Sequence, residues 1–307
     1  MKKAVSAILL ILLLLLALPV LAEASLSIVS VNFPEYDLAR AIAGEEAEVT
    51  MLLPPGSESH SFEPTPQDII TIANANLFFY NGGESDTWAR TILESLGDAQ
   101  PVSLRMMDCV QLVSEERTES MSGEIEEEEA PDEHVWTSLR NMKQIAAVLC
   151  DTLCALAPQQ EADFRQRTEA YLAELTALDE AFTQVVESSE RKLLIFGDRF
   201  PFRYFVEDYG LSYDAAFPGC SEQTEPNVNT IISLTQRILS EKIPVVLTLE
   251  FSSGKTADIL CEETGAVRRT FHSCHTVSTA DLENGVTYLS LMRDNLAVLE
   301  EALNGWH

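Results

Sequence analysis

The chain has 307 residues, and its 49 acidic side chains outnumber its 20 basic ones, which leaves a net charge of −29 at neutral pH. So acidic a protein is repelled by nucleic acid and by anionic lipid surfaces, so neither is expected as a partner, and a small cation is a more natural one. The length allows two α/β lobes or one large domain, with ample core in either case.

The first residues predict a secretory signal peptide. Lys2 and Lys3 precede an unbroken apolar run over 7–17, and small residues suited to cleavage follow it. The run is too short to span a bilayer comfortably. We therefore expect residues 1–24 to be removed and the mature chain to be exported to the periplasm or the cell surface. No cysteine stands at the cleavage zone, so a lipid anchor is not expected there.

Strand and helix patterns alternate over residues 26–82. Segments rich in β-branched residues predict strands, and apolar residues at helical spacing predict the helices between them. Thr65 is placed to cap the second helix, and Pro66 suits its first turn. The predicted elements are strand 26–33, helix 34–46, strand 48–53, helix 65–75 and strand 76–82. This rhythm implies a parallel sheet with right-handed crossovers.

An acidic segment separates this region from the next helix. Residues 111–133 are rich in glutamate and almost free of apolar side chains, which predicts a solvated loop. Three interpretations of its glutamates stay open. They concentrate cations near a binding cleft, they cover that cleft, or they have no role beyond solvating the loop. Helical periodicity resumes over 137–158.

One long amphipathic helix is predicted over 159–190. Its apolar side chains recur with a period near 3.6, and neither glycine nor proline interrupts them. They are Phe164, Tyr171, Leu172, Leu175, Leu178, Phe182, Val185 and Val186. Roughly 28 residues make a helix about 42 Å long. Such a helix is long for one lobe and suits a bridge between two, although an amphipathic helix within one domain and a coiled-coil arm are alternatives.

The β-α rhythm then restarts in the last third of the chain. The predicted elements are strand 191–198, helix 201–210, strand 212–217, helix 227–242, strand 244–251, helix 255–266, strand 266–273 and helix 285–304. We therefore predict an α/β fold with two pseudo-symmetric parallel-sheet lobes, residues 25–158 and 191–307, bridged by one long rigid helix. Ligands in such sheets lie outside the carboxyl ends of the strands. Because the bridge has no hinge-like linker, only a small closure of the cleft is expected.

Histidines stand at several of these strand ends and loops. His60 lies in a proline-bracketed loop, His134 ends the acidic segment, and His272 and His275 follow a late strand. Neutral imidazole is a strong zinc ligand, and a tetrahedral site needs about four nitrogen, oxygen or sulfur donors. Single histidines from separate, rigid loops indicate a preformed metal site between the two lobes.

Five motifs in this order resemble the solute-binding receptors of bacterial zinc and manganese ABC importers. They are SHSFEPTPQDI, ANLFFYNG, DEHVWTS, FGDRFPFRYFVEDYG and GVTYLSLMRDNLAVLEEAL. The resemblance covers essentially the whole mature chain. It implies two α/β lobes joined by a long helix, one divalent cation held between them, delivery of that cation to a membrane permease, and no catalysis. A monomer is expected.

The resemblance also implies a set of metal ligands. The family's first two histidines match His60 and His134. Its third ligand, usually a histidine or glutamate, falls at 196–199, where Asp198 is the nearest usable donor. Its fourth ligand, usually a carboxylate before the terminal helix, falls at His272. The predicted set is therefore three imidazoles and one carboxylate.

Alternatives to this set stay open. His275 or a water molecule would supply the fourth donor in place of Asp198, and Glu250 is a weaker candidate that fits a supporting role better. Three nitrogens and one oxygen favour zinc, whereas more carboxylates would have favoured manganese. Cys220 and Cys274 lie in neighbouring loops. An oxidising compartment favours a disulfide between them, and the alternative is that Cys274 binds the metal as a thiolate.

The predicted function is an extracytoplasmic zinc receptor of an ABC importer. A receptor for manganese or another divalent metal is one alternative. A zinc hydrolase is another, since three histidines and a water form a catalytic zinc shell. The chain has no HExxH helix and no general base at a defined spacing from its histidines, which disfavours that alternative. An adhesin is a third class, but no repeat or binding module argues for it.

Overall fold

The computed structural model describes residues 25–58, 60–121, 130–219 and 226–305. The predicted signal peptide, residues 1–24, lies outside these ranges, and so does Cys220. Within them, no helix combines the length and the apolar character that crossing a membrane requires.

The amino-terminal half contains a four-stranded parallel sheet in the order β2-β1-β3-β4. Its strands are β1 (Leu26–Ser30), β2 (Ala47–Met51), β3 (Leu77–Tyr80) and β4 (Val102–Arg105). Its helices are α1 (Phe33–Ala43), α2 (Pro66–Ala73), α3 (Thr87–Leu96) and α4 (Leu139–Leu156). The sequence patterns had not indicated α3 or β4. Thr65 caps α2 in a capping box with Asp68, as its position before a proline predicts.

The carboxyl-terminal half repeats this arrangement. Its parallel sheet has the order β6-β5-β7-β8, so both sheets follow the same sequence of strands. The strands are β5 (Leu193–Phe200), β6 (Ser212–Pro218), β7 (Val245–Thr248) and β8 (Val267–Thr270). The helices are α6 (Arg203–Tyr209), α7 (Val228–Glu241), α8 (Lys255–Thr264), α9 (Thr279–Glu283) and α10 (Tyr288–Asn304). The strand β8 ends three residues earlier than the predicted strand 266–273.

A single helix, α5 (Glu161–Ser188), runs between the two halves over 28 residues. Its buried face is the predicted apolar stripe, with Thr168 added and with Leu172 and Val185 only partly buried. The predicted α/β fold with two sheets and one long helix is thereby confirmed. The exact lobe boundaries at residues 158 and 190 stay predictions.

Polar contacts attach this helix to both halves. The guanidinium of Arg167 donates to the carbonyl oxygens of Ile42 and Ala43 at the end of α1, at 2.7 and 2.9 Å. A cation suits the carboxyl end of a helix, where carbonyl groups lack helical partners. Farther along, Glu174 accepts a hydrogen bond from Arg293 of α10. The long helix is therefore fixed at several points and does not act as a flexible linker.

One hydrophobic core extends through both halves. It joins side chains of the first sheet, the long helix and the second sheet, among them Ile28, Phe79, Trp136, Phe164, Phe182, Phe196, Phe271 and Tyr288. Two smaller clusters cover the outer faces of the two sheets. Burying one large apolar side chain stabilises a fold by about 1.5–3 kcal/mol. Separating the halves would expose many such side chains, which agrees with the small closure expected from the sequence.

The described ends of the acidic segment are packed, contrary to the prediction of a solvated loop over 111–133. Thr118 and Ser120 donate hydrogen bonds to the buried carboxylate of Asp214 in β6, at 2.5 and 2.7 Å. Met121 is buried in the core. Glu133, at the other end, is also buried. Few apolar residues suffice here because hydroxyl groups satisfy a buried carboxylate of the second sheet. Residues 122–129 lie outside the described ranges.

An irregularity in β5 shapes the end of that strand. The pairing between β5 and β6 shifts register between Phe196 and Arg199. Gly197 lies inside this shift, and a Cβ atom there would stand 2.7 Å from the Cα atom of Ala257 in α8. Only glycine permits so close an approach of helix and strand. The shift also determines where Asp198 and Arg199 point.

A buried carboxylate between the halves predicts a measurable dependence of stability on pH. Asp37 of α1 accepts a hydrogen bond from the backbone N–H of Tyr288, at 2.9 Å. Burial raises the pKa of Asp37 from 3.8 to about 6. Since the folded state holds this proton more tightly than the unfolded state, the stability present below about pH 4 declines as pH rises to about 6. The decline amounts to at most about 3 kcal/mol.

We therefore expect Asp37→Asn to stabilise the metal-free chain at about pH 7.5 and to have little effect at about pH 3.5, below the pKa of the unfolded state. Thermal melting of both chains at the two pH values checks this. Asp179→Asn is the matched control with the opposite sign. Burial opposes its ionisation, but Lys143 and Tyr209 hold the pKa of Asp179 below its usual range. An equal loss of stability in Asp37→Asn at both pH values would contradict the assignment.

Candidate metal centre

Three histidines from three separate loops meet in the cleft between the halves. His60 lies between β2 and α2, His134 precedes a short turn, Val135–Thr137, and His275 follows β8. One ring nitrogen of each lies within 4.8 Å of the others. Nitrogens bound to one tetrahedral zinc ion are roughly 3.4 Å apart, since each Zn–N bond is about 2.1 Å. Small movements of the rings would therefore allow all three to bind a single ion.

The ring of His60 is oriented by a buried acid and a hydroxyl group. Its Nδ1 lies 3.2 Å from an oxygen of Glu133 and 2.7 Å from Oγ of Ser85. Burial acts to raise the pKa of Glu133, but His60, His134 and Ser85 hold it well below its usual range. The carboxylate is therefore ionised and accepts from Nδ1, which leaves Nε2 of His60 for a metal ion.

His134 is held in the same way by its own neighbour. Asp132 accepts hydrogen bonds from the backbone N–H and from Nδ1 of His134, at 2.8 and 3.0 Å. Burial acts to lower the pKa of His134, but the charge of Asp132 raises it above the usual value. Gly219 lies beside this ring, and a Cβ atom there would stand 3.1 Å from Cε1 of His134. The missing side chain leaves room for the imidazole.

His275 enters the cleft from a tight turn of the second half. The residue before it, Cys274, has a left-handed backbone with φ of 59°. Glu250 accepts hydrogen bonds from the N–H and the hydroxyl group of Ser273, which fixes the start of this turn. Removal from water, followed by the charges of His60 and His134, holds the pKa of His275 well below its usual value. Its ring is therefore neutral and has a lone pair for a metal ion.

The aromatic ring of Trp136 lies among these histidines. Its centroid is 5.4 Å from that of His134 and 4.9 Å from that of His275. Its Nε1–H donates to the carbonyl oxygen of Ser273 at 2.8 Å. The residue thus connects the loop that carries His134 to the turn that carries His275.

The structure does not bring His272 or Asp198 into the histidine group. The backbone of His272 exchanges two hydrogen bonds with Asn295 of α10. The carboxylate of Asp198 is buried and accepts from the backbone N–H groups of Arg199 and Leu249, at 2.9 and 3.2 Å. Because β8 ends at Thr270, the following turn presents His275 to the cleft. The predicted strand 266–273 contains His272, the residue to which the resemblance assigns the fourth ligand.

The three histidines line a cavity of about 180 Å³. Residues that follow β2, β5, β7 and β8 line it, as expected for the carboxyl ends of parallel strands. Two contacts between the halves join residues of its lining. Glu58 forms an ion pair with Arg199 at 2.9 Å, and the N–H of Gly56 donates to Oγ1 of Thr276 at 3.1 Å.

Only one cysteine of the predicted disulfide lies within the described residues. Cys274 is a buried, free thiol beside the turn of His275. Cys220 lies outside the described residues, so the predicted Cys220–Cys274 disulfide does too.

Two α/β lobes of equal strand order, a long connecting helix and a cleft with three histidines define a two-lobed fold with a candidate metal site between the lobes. Residues 28–302 match the family model ZnuA, described as the periplasmic component A of a zinc-uptake complex. The chain belongs to this family. The periplasmic location in that description confirms the predicted export.

Individual relatives share about a quarter of their residues with the chain. The high-affinity zinc uptake system protein ZnuA of Bacillus subtilis is 28% identical over 285 residues, which cover 91% of this chain and 88% of that protein. The zinc-binding lipoprotein AdcA of Streptococcus pneumoniae is 27% identical over 283 residues, which cover 91% of this chain. The match covers only 56% of AdcA, so the chain spans about half the length of that relative.

Two solved structures show the same fold. One is the Zn(II)-bound ZnuA-like domain of S. pneumoniae AdcA, with a TM-score of 0.77, 26% identity and coverage of 92% of this chain and 100% of that one. The other is the metal-dependent lipoprotein YcdH of B. subtilis, with a TM-score of 0.78, 26% identity and coverage of 91% and 99%.

Proposed function

We propose that this protein is an extracytoplasmic receptor that binds one zinc ion and delivers it to the permease of an ABC importer. The observation that carries the proposal is the group of three imidazole nitrogens, His60, His134 and His275, within 4.8 Å of one another. Both halves of the molecule contribute to this group. Membership of a zinc-uptake family supports the same function, and the permease is the partner that this family implies.

The chemistry of the donors favours zinc over manganese. Among the described residues, the metal-binding group contains nitrogen donors and no carboxylate. Manganese prefers oxygen donors, whereas imidazole suits zinc. Two buried carboxylates, Asp132 and Glu133, accept hydrogen bonds from Nδ1 of His134 and of His60. They orient the rings and supply negative charge without joining the group.

A competition titration tests this function. The mature chain, stripped with EDTA, would be titrated with zinc in the presence of a chromogenic chelator, and in parallel with manganese. We expect one zinc ion bound per chain in competition with the chelator, and much weaker binding of manganese. Failure of zinc to compete with the chelator would contradict the receptor function.

A further inference from the structure

A fixed positive charge lines the cavity that is built for a cation. Arg199 is at the end of β5, and its side chain is 28% exposed beside the three histidines. A guanidinium is always charged and has five N–H donors in a planar fork. Near a divalent cation such a group is unfavourable unless an anion lies between them.

Most donors of this guanidinium have no protein partner among the described residues. Its single side-chain hydrogen bond in those ranges runs from Nη2 to Glu58, at 2.9 Å. The contact shows that a carboxylate reaches the guanidinium in this cavity. A carboxylate typically accepts two parallel N–H donors of a guanidinium. The donors that Glu58 leaves unused can therefore bind a second oxyanion.

Among the described residues, the group of three histidines includes no anionic donor. Three neutral imidazoles bring no negative charge into direct contact with a zinc ion, and a tetrahedral ion requires a fourth donor. Two carboxylates line the cavity among the described residues: Glu250 accepts from Ser273, and Glu58 accepts from Arg199. Neither belongs to the described donor group. The cavity of about 180 Å³ exceeds what one ion occupies, since a water molecule takes up roughly 30 Å³.

We propose that zinc and Arg199 together bind a small oxyanion of the carboxylate class. One oxygen of the anion completes the coordination of the ion, and the anion also accepts hydrogen bonds from the guanidinium. Metal and anion then bind cooperatively, because each compensates a charge that opposes the other. The proposal rests on the zinc-receptor function proposed above and adds a second ligand to it.

The test is a zinc titration at defined anion content. The stripped chain would be titrated against a chromogenic chelator in a buffer with weakly coordinating anions, and again with acetate, bicarbonate or chloride added. The chelator alone calibrates the effect of each anion on free zinc. We expect acetate or bicarbonate to tighten zinc binding roughly tenfold or more, the equivalent of one hydrogen bond to a charged group. The arm that responds more strongly identifies the anion, and chloride should have the smallest effect.

Two variants test whether the dependence on oxyanion requires Arg199. Arg199→Gln should still bind zinc through the histidines but lose the dependence on oxyanion. Arg203→Gln is the matched control, because Arg203 pairs with Glu116 and Glu207 and does not line the cavity. Circular dichroism would verify the folding of both. In a second measurement, ¹³C-labelled bicarbonate should show exchange broadening with zinc-loaded chain and none with metal-free chain.

Several results would overturn the proposal. One is a zinc affinity of the unchanged chain that is the same in every anion, and another is an equal dependence in Arg199→Gln. Loss of tight binding in Glu58→Gln without added oxyanion would assign the fourth donor to Glu58 instead. Failure to bind zinc in any buffer would reject the receptor function, and with it this proposal, and is thus distinguishable from loss of the anion effect alone.

Discussion

Replacement of His275 by alanine is expected to abolish tight zinc binding, whereas the same replacement of His272 should leave it unchanged. His275 contributes one of three nitrogens to the metal group, and His272 contributes none. Loss of a mere outer partner of a metal ligand weakens binding by about 10–100-fold. Loss of the ligand itself should exceed that range.

The two histidines form a matched pair for this experiment. They are three residues apart in one turn, and both are only partly buried. Titration of each stripped variant against the chromogenic chelator measures the difference directly. A substantial loss of affinity in His272→Ala, with His275→Ala unchanged, would return the ligand to the position that the sequence had indicated.

Replacement of Trp136 by alanine should cause the largest loss of stability among single changes near the site. The indole is fully buried, and removal of such a side chain costs about 3–5 kcal/mol. The change also leaves the carbonyl oxygen of Ser273 without its hydrogen bond. Since whole domains are stable by only 5–15 kcal/mol in general, the urea midpoint should fall markedly.

Zinc affinity should fall together with stability in this variant, because Trp136 supports the loops of His134 and His275. Trp88→Ala is the matched control. Trp88 is only partly buried and packs on Phe62 and Phe78 in the outer cluster of the first sheet. Trp88→Ala should lower the urea midpoint less than Trp136→Ala does and leave zinc affinity unchanged. Equal effects of the two changes on zinc affinity would show that Trp136 has no special role at the site.

Local patterns in the sequence were sufficient to predict most of the fold. The 3.6 period of α5 and the alternation of strands and helices both depend on neighbouring residues, and the structure reproduces them. The strand β4 was missed because it has only four residues, all partly exposed, so it lacks a buried apolar run. The three predicted strands of the first sheet, which correspond to β1, β2 and β3, were enough to indicate its parallel pairing but not its fourth strand.

The candidate site was only partly predictable from the sequence, because it depends on contacts between distant residues. Glu133 meets Ser85, which is 48 positions away, and His60, which is still farther along the chain, and no local pattern reveals such contacts. The resemblance to the family places the fourth ligand at His272, and only the folded turn after β8 shows that His275 meets His60 and His134. The acidic residues beside His134 had been read as part of a solvated loop, although two of them are buried.

The core that extends through both sheets and α5 has a consequence for how the chain folds. A lobe produced alone would leave one side of this core in water, including partners of Phe164 and Phe182. Large exposed apolar surfaces of that kind promote aggregation. Neither half should therefore be an independent folding unit, and urea should unfold the whole chain in one cooperative transition. The molecule therefore has two lobes but should unfold as one cooperative unit.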